Sequence, residues 1–355
     1  MPAVSPAFVH LRLHSDYSVT DGITRLDSAI SRAAADGMPA LALTDLANLF
    51  GMVKFYTGAR TAGIKPVIGA DLWIAEDDSR DPGRDSCSRL LLLARNREGF
   101  LRLCELLTLA YLAPRRQGRA ELSRAALANG DNGGLIALSG AGGGDVGQWL
   151  LAGKPERARE RANDWASLFP GSYYLEVQRY GQPQQEHLLA ATVALAAEAG
   201  LPVVATHPLQ FLDRGDFKAH EARVCIADGY VLADPRRPRP YTEEQYFKTQ
   251  AEMAELFADL PEALENTVEI ARRCSLTVQL GKSRLPIFPT PEGVSLDDYL
   301  ASESRRGLET RLQHLFPDAA EREAQRPRYA ERLEFEIQTI QQMGFPGYFL
   351  IVADF

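Results

Sequence analysis

Residues 8–22 read FVHLRLHSDYSVTDG, and the fold turns on how they are taken. Phe8, Val9, Leu11 and Leu13 make a short apolar run of the kind that forms a buried strand. The run stops at His14, Ser15 and Asp16, and Asp21-Gly22 follows shortly. A strand ending in imidazole and carboxylate puts those groups at one end of a sheet, where α/β enzymes place their chemistry. His and Asp are ligands for divalent metals. Yet Arg12 stands between His10 and His14, and a guanidinium has no free lone pair to give a metal. The stretch therefore outlines a metal site with a ligand missing. The plain alternative is a first strand whose polar residues only cap the next turn.

The chain of 355 residues is 45% hydrophobic and 24% charged, an ordinary globular balance with room for about two domains. A net charge of −8 argues against a surface that binds DNA over its whole extent, though not against a local basic patch. Cys87, Cys104, Cys225 and Cys274 lie far apart with no CxxC pair, which predicts neither a zinc knuckle nor a disulfide framework and fits a reducing cytoplasm. No secretion signal is expected at the start, and no apolar run approaches the ~20 residues of a membrane span.

Short apolar runs alternate with helical patterns along the chain. After 8–13, strands are expected at 40–44, 66–75 (with Asp71 inside), 90–94, 135–139, 172–178 and 202–206. Helices are expected at 26–35, 50–62, 99–112, 155–168 and 183–199, and a polar loop at 77–89. Alternation of this kind predicts a parallel sheet with right-handed crossovers, closed most easily as a barrel. His14, Asp45, Gln178 and His207 would then ring one mouth. The run 140–144 lacks the spacing of a phosphate-cradling loop and reads as a plain connection.

Beyond Asp234 the texture changes. Residues 235–240, PRRPRP, read as a stiff basic linker. Two helices broken at Pro261 follow within 243–274. The proline-dense 286–292 reads as a domain boundary, with charged helices at 296–316 and 328–343 after it. The last residues, FPGYFLIVADF, form an apolar helical run without a cap. Its apolar face calls for a partner, so the sequence reads as the front part of something longer.

Five stretches together resemble a known family: 8–22, ALTDLANLFGMVKFY (42–56), GIKPVIGADLWIA (63–75), LLLARNREGFLRLCELLTLAY (91–111) and MGFPGYFLIVADF (343–355). They are similar to the N-terminal part of the bacterial replicative (family C) DNA polymerase III alpha subunits. The resemblance runs from about residue 8 to the last. It implies that residues 1–280 form a PHP domain (polymerase and histidinol phosphatase), a distorted TIM-like (β/α)7 barrel. It implies that 281–355 begin the polymerase palm region. The polymerising carboxylates of that family, which use Mg²⁺, would lie beyond Phe355.

PHP domains that keep their site hold a metal cluster that polarises a phosphoryl group and activates water. Carried onto this chain, the pattern is worn. The His-x-His of the first strand is Arg12 and His14. The following Asp survives as Asp21. The usual Thr-Asp-His of the second strand is Thr44, Asp45, Leu46. The Glu of the third strand is Asp71, and the His before the fourth is Arg89. Near the sixth strand a usual His is Tyr180. The usual Asn-Asp-x-His of the seventh gives way to Thr206, His207, Pro208, Leu209 and Gln210.

Arg12 and Arg89 would each set a positive charge where a cation should sit. Two like unit charges about 4 Å apart repel by about 4 kcal/mol at an effective dielectric near 20. The arginines are instead expected to pair with Asp21, Asp45 or Asp71 and lock the mouth in place of metal. No metal is expected in this portion, with His14, Asp21 and Asp45 the remaining candidates. By itself His14 reads as a hydrogen-bonded core histidine, as does His207. On this view the barrel braces the polymerase and docks a proofreading exonuclease subunit beside other replicase subunits, with DNA a partner of the intact protein.

Two other readings stand against it. A working Mg²⁺-, Mn²⁺- or Zn²⁺-dependent phosphoesterase or 3′–5′ exonuclease would have to use His14, Asp21, Asp45, Asp71 and His207. A free-standing barrel enzyme acting on a small anionic substrate would fit the strand pattern but not the open apolar end. Direct nucleic-acid contact by 235–240, or by Arg115, Arg116 and Arg119, competes with solvated loops at both places.

Overall fold

A computed structural model describes residues 8–75, 87–113, 118–282 and 286–355. The chain divides into two compact units, Met1–Val278 and Gln279–Phe355. In the first, the described residues form one curled sheet of seven strands: β1 (Ala40–Leu43), β2 (Lys65–Ala75), β3 (Cys87–Ala94), β4 (Glu121–Ser123), β5 (Leu135–Leu138), β6 (Tyr173–Val177) and β7 (Val203–Ala205). Its order is β1-β2-β3-β5-β6-β7, with β4 paired to β2.

The sheet is not parallel throughout. β3 runs antiparallel to both β2 and β5. Only residues 76–86 separate β2 from β3. A parallel crossover needs a dozen residues or more, so the short connection enforces an antiparallel return. Cys87, Ser88 and Arg89, expected in the loop 77–89, belong to β3, and the rest of that loop lies outside the described residues.

Residues 8–13 do not form a regular strand. They run extended between β1 and the turn after β7 and close the barrel with isolated bridges. The Ala42 and Thr44 amides donate to the His10 and Leu13 carbonyls at 2.9 and 3.1 Å, and the His14 amide donates to Leu209 O at 3.0 Å. Hydroxyls take the place of ladder partners. The Leu13 amide donates to Thr44 Oγ1 at 2.9 Å, and the Val9 amide to Thr267 Oγ1 at 3.0 Å. Strict alternation would put 9, 11 and 13 on one face. Instead Val9 and Leu11 join the inner core while Leu13 joins the outer one.

Two cores follow from the alternation of the sheet. The inner one gathers Val67, Leu91, Leu93, Leu138, Tyr174 and Val204. The helix Pro261–Arg273 adds Val268, Ile270 and Ala271 to it, and Lys65 Nζ donates to the Ala271 carbonyl in its last turn at 2.8 Å. The outer core packs Leu41, Ile68, Leu72 and Leu92 against the helices Leu26–Ala35, Met52–Thr61 and Arg97–Leu112. Further helices at Pro155–Leu168 and Gln185–Ala199 match the sequence pattern closely. Short helices at Arg124–Ala128 and Asp145–Leu151, and a longer one at Phe217–Asp228, were not expected from it.

The basic run 235–240 is not a linker between units. It lies inside the first, where Arg236 pairs with Asp234 and Arg237 with Glu221. In the second unit, Leu296–Leu315, Ala319–Gln342 and Pro346–Asp354 are helical. The middle helix begins well before 328 because Asp318 caps it, accepting from the Ala320 and Glu321 amides, and it carries Pro327 in its interior. No helix among the described residues is long and apolar enough to cross a membrane.

Thr44 is fully buried. Thr44→Val keeps its shape but strands the Leu13 amide, so a loss of about 1–3 kcal/mol is expected in urea unfolding. Thr44→Ser should retain most of that stability. Equal stability of the valine variant would show that the hydroxyl does not close the barrel.

Candidate functional site

One further step along the inner faces replaces apolar residues with polar ones. Asp71 shares its face of β2 with Val67, Arg89 shares its face of β3 with Leu91, and Glu176 shares its face of β6 with Tyr174. Thr206 continues the face of Val204 just past β7. Arg12 and His14 arrive from the extended opening segment, and Asp21 from the turn after it.

These groups form one buried ionic network. Asp71 Oδ2 accepts from Arg12 Nη1, from Arg89 Nη2 and, at 3.2 Å, from His14 Nε2. His14 Nδ1 donates to Asp21 Oδ2 at 2.9 Å. Arg12 turns its remaining edge to Glu176, with Nε to Oε1 at 2.8 Å and Nη2 to Oε2 at 3.0 Å. Glu176 also accepts from Thr206 Oγ1, from Gln178 Nε2 at 2.8 Å and from the Gly140 amide at 3.0 Å. Three cationic side chains thus face three carboxylates.

The charges of this network reinforce one another. Burial alone would lift the Asp71 carboxyl, but Arg12, Arg89 and His14 outweigh it and hold the group below the usual carboxylate range. Burial likewise opposes the charge on His14, yet Asp21 and Asp71 prevail and raise its pKa to about 9. Asp21 is lowered in return, against its own burial, chiefly by His14. Arg12 rises above its ordinary value because Asp71 and Glu176 outweigh its desolvation.

Asp45 stands beside this network without a bonded cation among the described residues. It accepts from the Ser15 amide at 2.7 Å and from the Ser15 and Ser18 hydroxyls. Burial is the largest influence and raises its pKa. His207 is elsewhere. Its Nε2 donates to the Tyr246 carbonyl at 2.9 Å, and its ring lies 6.0 Å from that of His10. Among the described residues it shares no bonded group with Asp71 or Asp21. Tyr180 is half-buried, and its phenol is raised chiefly by burial.

Glu176 is the member that sequence reading missed. It sits in YYLEV, one charge in an apolar strand whose other residues are all buried. A buried acid needs a counter-charge, so its presence there was a signal. Arg119 pairs with Glu121 at 3.2 Å and stacks 4.8 Å from the centre of Trp73, which has Arg89 at 4.4 Å. Arg115 and Arg116 lie outside the described residues. A cavity of about 480 Å³ opens over the mouth, lined in part by Asp21, Asn48, Trp73, Arg89 and Tyr241.

Most donor atoms of this network already have partners. Asp71 Oδ2 is filled by two guanidinium groups and an imidazole, and both nitrogens of His14 are spent on carboxylates, while Asp71 Oδ1 and Asp21 Oδ1 are buried without a hydrogen-bond partner among the described residues. Among the described residues, no group of three or more His, Cys, Asp or Glu side chains is arranged to hold a metal ion.

The barrel defines the class. Residues 10–180 match the family described as the PHP domain, and residues 298–355 match the Bacterial DNA polymerase III alpha NTPase domain. The chain is 54% identical over 352 residues to DNA polymerase III subunit alpha of Neisseria meningitidis serogroup A, covering 99% of this chain and 30% of that protein. It is 50% identical over 350 residues to the same subunit of Escherichia coli K12, again covering 99% and 30%. Among solved structures, an amidohydrolase from Chromobacterium violaceum superposes with a TM-score of 0.41 at 15% identity, over 61% of this chain and 97% of that one, too loosely to bear on the fold. The chain belongs to the DNA polymerase III alpha family, as its N-terminal, PHP-containing portion, and spans about 30% of the length of the curated relatives it matches.

Arg12 is almost fully buried between two acids. Arg12→Met should therefore cost about 3–5 kcal/mol, because it leaves buried carboxylates short of a counter-charge. A loss under about 1 kcal/mol in urea unfolding would refute the network. His14 gives a pH signature. With a folded pKa of about 9 against 6.5, its stabilisation is complete below about pH 6.5 and disappears as pH rises through 9, on the order of 3 kcal/mol in all. Chemical unfolding of His14→Gln should lack that alkaline slope, and its gap from the parent should close near pH 10.

Proposed function

We propose that this chain is the front part of a template-directed DNA polymerase and that its PHP barrel carries out no hydrolysis. The observation behind this reading is the Asp71 carboxylate filled by Arg12, Arg89 and His14, three positive groups where a metal cluster would need ligands. Residues 1–280 make up the PHP domain and 281–355 open the palm region. The division into compact units between Val278 and Gln279 supports that boundary. Polymerisation uses Mg²⁺ held by carboxylates beyond Phe355. The barrel braces the polymerase core, offers a docking surface to a proofreading exonuclease subunit and works among the other replicase subunits in the cytoplasm. DNA polymerase III alpha relatives support the polymerase and replicase part of this reading.

Elemental analysis after exhaustive desalting, paired with hydrolysis assays, tests it. The purified protein should carry less than one equivalent of Mg²⁺, Mn²⁺ and Zn²⁺ combined. It should release no phosphate from p-nitrophenyl phosphate and no nucleotide from single-stranded DNA when Mn²⁺ or Zn²⁺ is added. Stoichiometric metal together with hydrolysis that His14→Ala abolishes would establish a working phosphoesterase instead.

A further inference from the structure

Outside the ionic network, two histidines hold one stretch of chain. Residues 245–248 lie across the turn that follows β7. The Gln210 amide donates to Gln245 O at 3.0 Å, and the Phe247 amide to Leu212 O at 3.2 Å. Gln245 Nε2 donates to the Pro208 carbonyl at 3.2 Å, and two further ties are imidazoles. His207 Nε2 donates to Tyr246 O at 2.9 Å, and His10 Nε2 donates to Lys248 O at 2.8 Å. His10 comes from the opening segment and His207 from the turn itself, and both are fully buried. The Nδ1 atom of each ring is buried with no hydrogen-bond partner.

Each ring is therefore the neutral Nε2–H tautomer. A second proton would go to an Nδ1 with no aligned acceptor among the described residues, beside another imidazole; the Glu244 backbone near His207 favours that charge, but burial, His10 and Lys248 outweigh it. The charged groups nearby give little relief. Lys248 repels it. Glu244 is paired with Lys248 at 2.9 Å. Glu252, from the helix Gln250–Leu256, is taken by the Thr249 amide and the Tyr246 hydroxyl. We infer that His10 and His207 form an acid-released latch: protons taken up by the pair free residues 245–248 from the barrel, and with them the turn 207–212 that closes it. That turn supplies the Leu209 and Gln210 carbonyls to the His14 and Ile23 amides, so its release loosens the seam of the barrel.

The direction follows from proton linkage. Burial, before any other influence, lowers His10 to about 4 and His207 well below its ordinary value. The latched form stays neutral while the opened form binds protons below about pH 6.5. Opening becomes more favourable as pH falls, by about tenfold per pH unit for each histidine. His14 is protonated in both forms over this range and adds no slope.

Hydrogen–deuterium exchange mass spectrometry between pH 6.5 and 5, corrected for intrinsic exchange, reads this out in peptides covering 207–212 and 245–249. Below about pH 6 their protection should fall about 100-fold per pH unit while peptides of β2 hold. Glutamine keeps an Nε2 donor but cannot titrate. His207→Gln should cut the slope to about tenfold, and the variant with His10→Gln added should abolish it. Native protection that is constant with pH, or an unchanged slope in His207→Gln, overturns the latch. If the double variant does not fold, the native slope against that of the single variant decides.

Discussion

Everything at the mouth of this barrel depends on one oxygen. Asp71 is fully buried in the middle of a long strand, and a carboxylate there is costly unless it is compensated. Arg12, Arg89 and His14 compensate it together, from three places in the chain. Arg12 then reaches on to Glu176 with its other edge, so one planar guanidinium joins β2 to β6 across the inside of the barrel. Its rigid fork suits that task in a way a lysine could not. The opening segment, which lacks a regular ladder, is held in place largely by its side chains.

A buried ion network of this kind is not a large net source of stability when intact. Its effect appears when one member is lost and the others remain uncompensated. That asymmetry fixes register. Residues 9 and 11 pack inward, then 12 and 14 reach the acids, a change of parity that a regular strand forbids. Hydroxyls of Thr44 and Thr267 make the change tolerable by accepting the amides it leaves without ladder partners.

Much of this was legible in the residues. Apolar runs placed most strands and helices of the barrel, and Arg12 and Arg89 pointed to positive charge among the acids of the mouth. Sign alone led to pairing with Asp21, Asp45 or Asp71, and did not tell that both arginines would meet on Asp71. Three things were harder to read. Glu176 was overlooked because attention fell on strand ends, although one acid among buried apolar residues is itself a signal. The direction of β3 was implied by the short connection before it, but alternation with helices suggested otherwise. His207 carries no mark that separates a mouth residue from a buried one, since its partner is a backbone carbonyl nearly forty positions away.

The two kinds of histidine in this domain oppose each other. His14 is charged and satisfied; His10 and His207 are neutral and each short of a partner.

Arg12 carries one more implication. A cation borne on a side chain is made on the ribosome with the rest of the polypeptide, and it cannot be sequestered by a chelator or exchanged for a competing ion. A barrel closed by such a group is complete as soon as the chain has folded. The Asp71 charge is thus balanced from within the polypeptide itself.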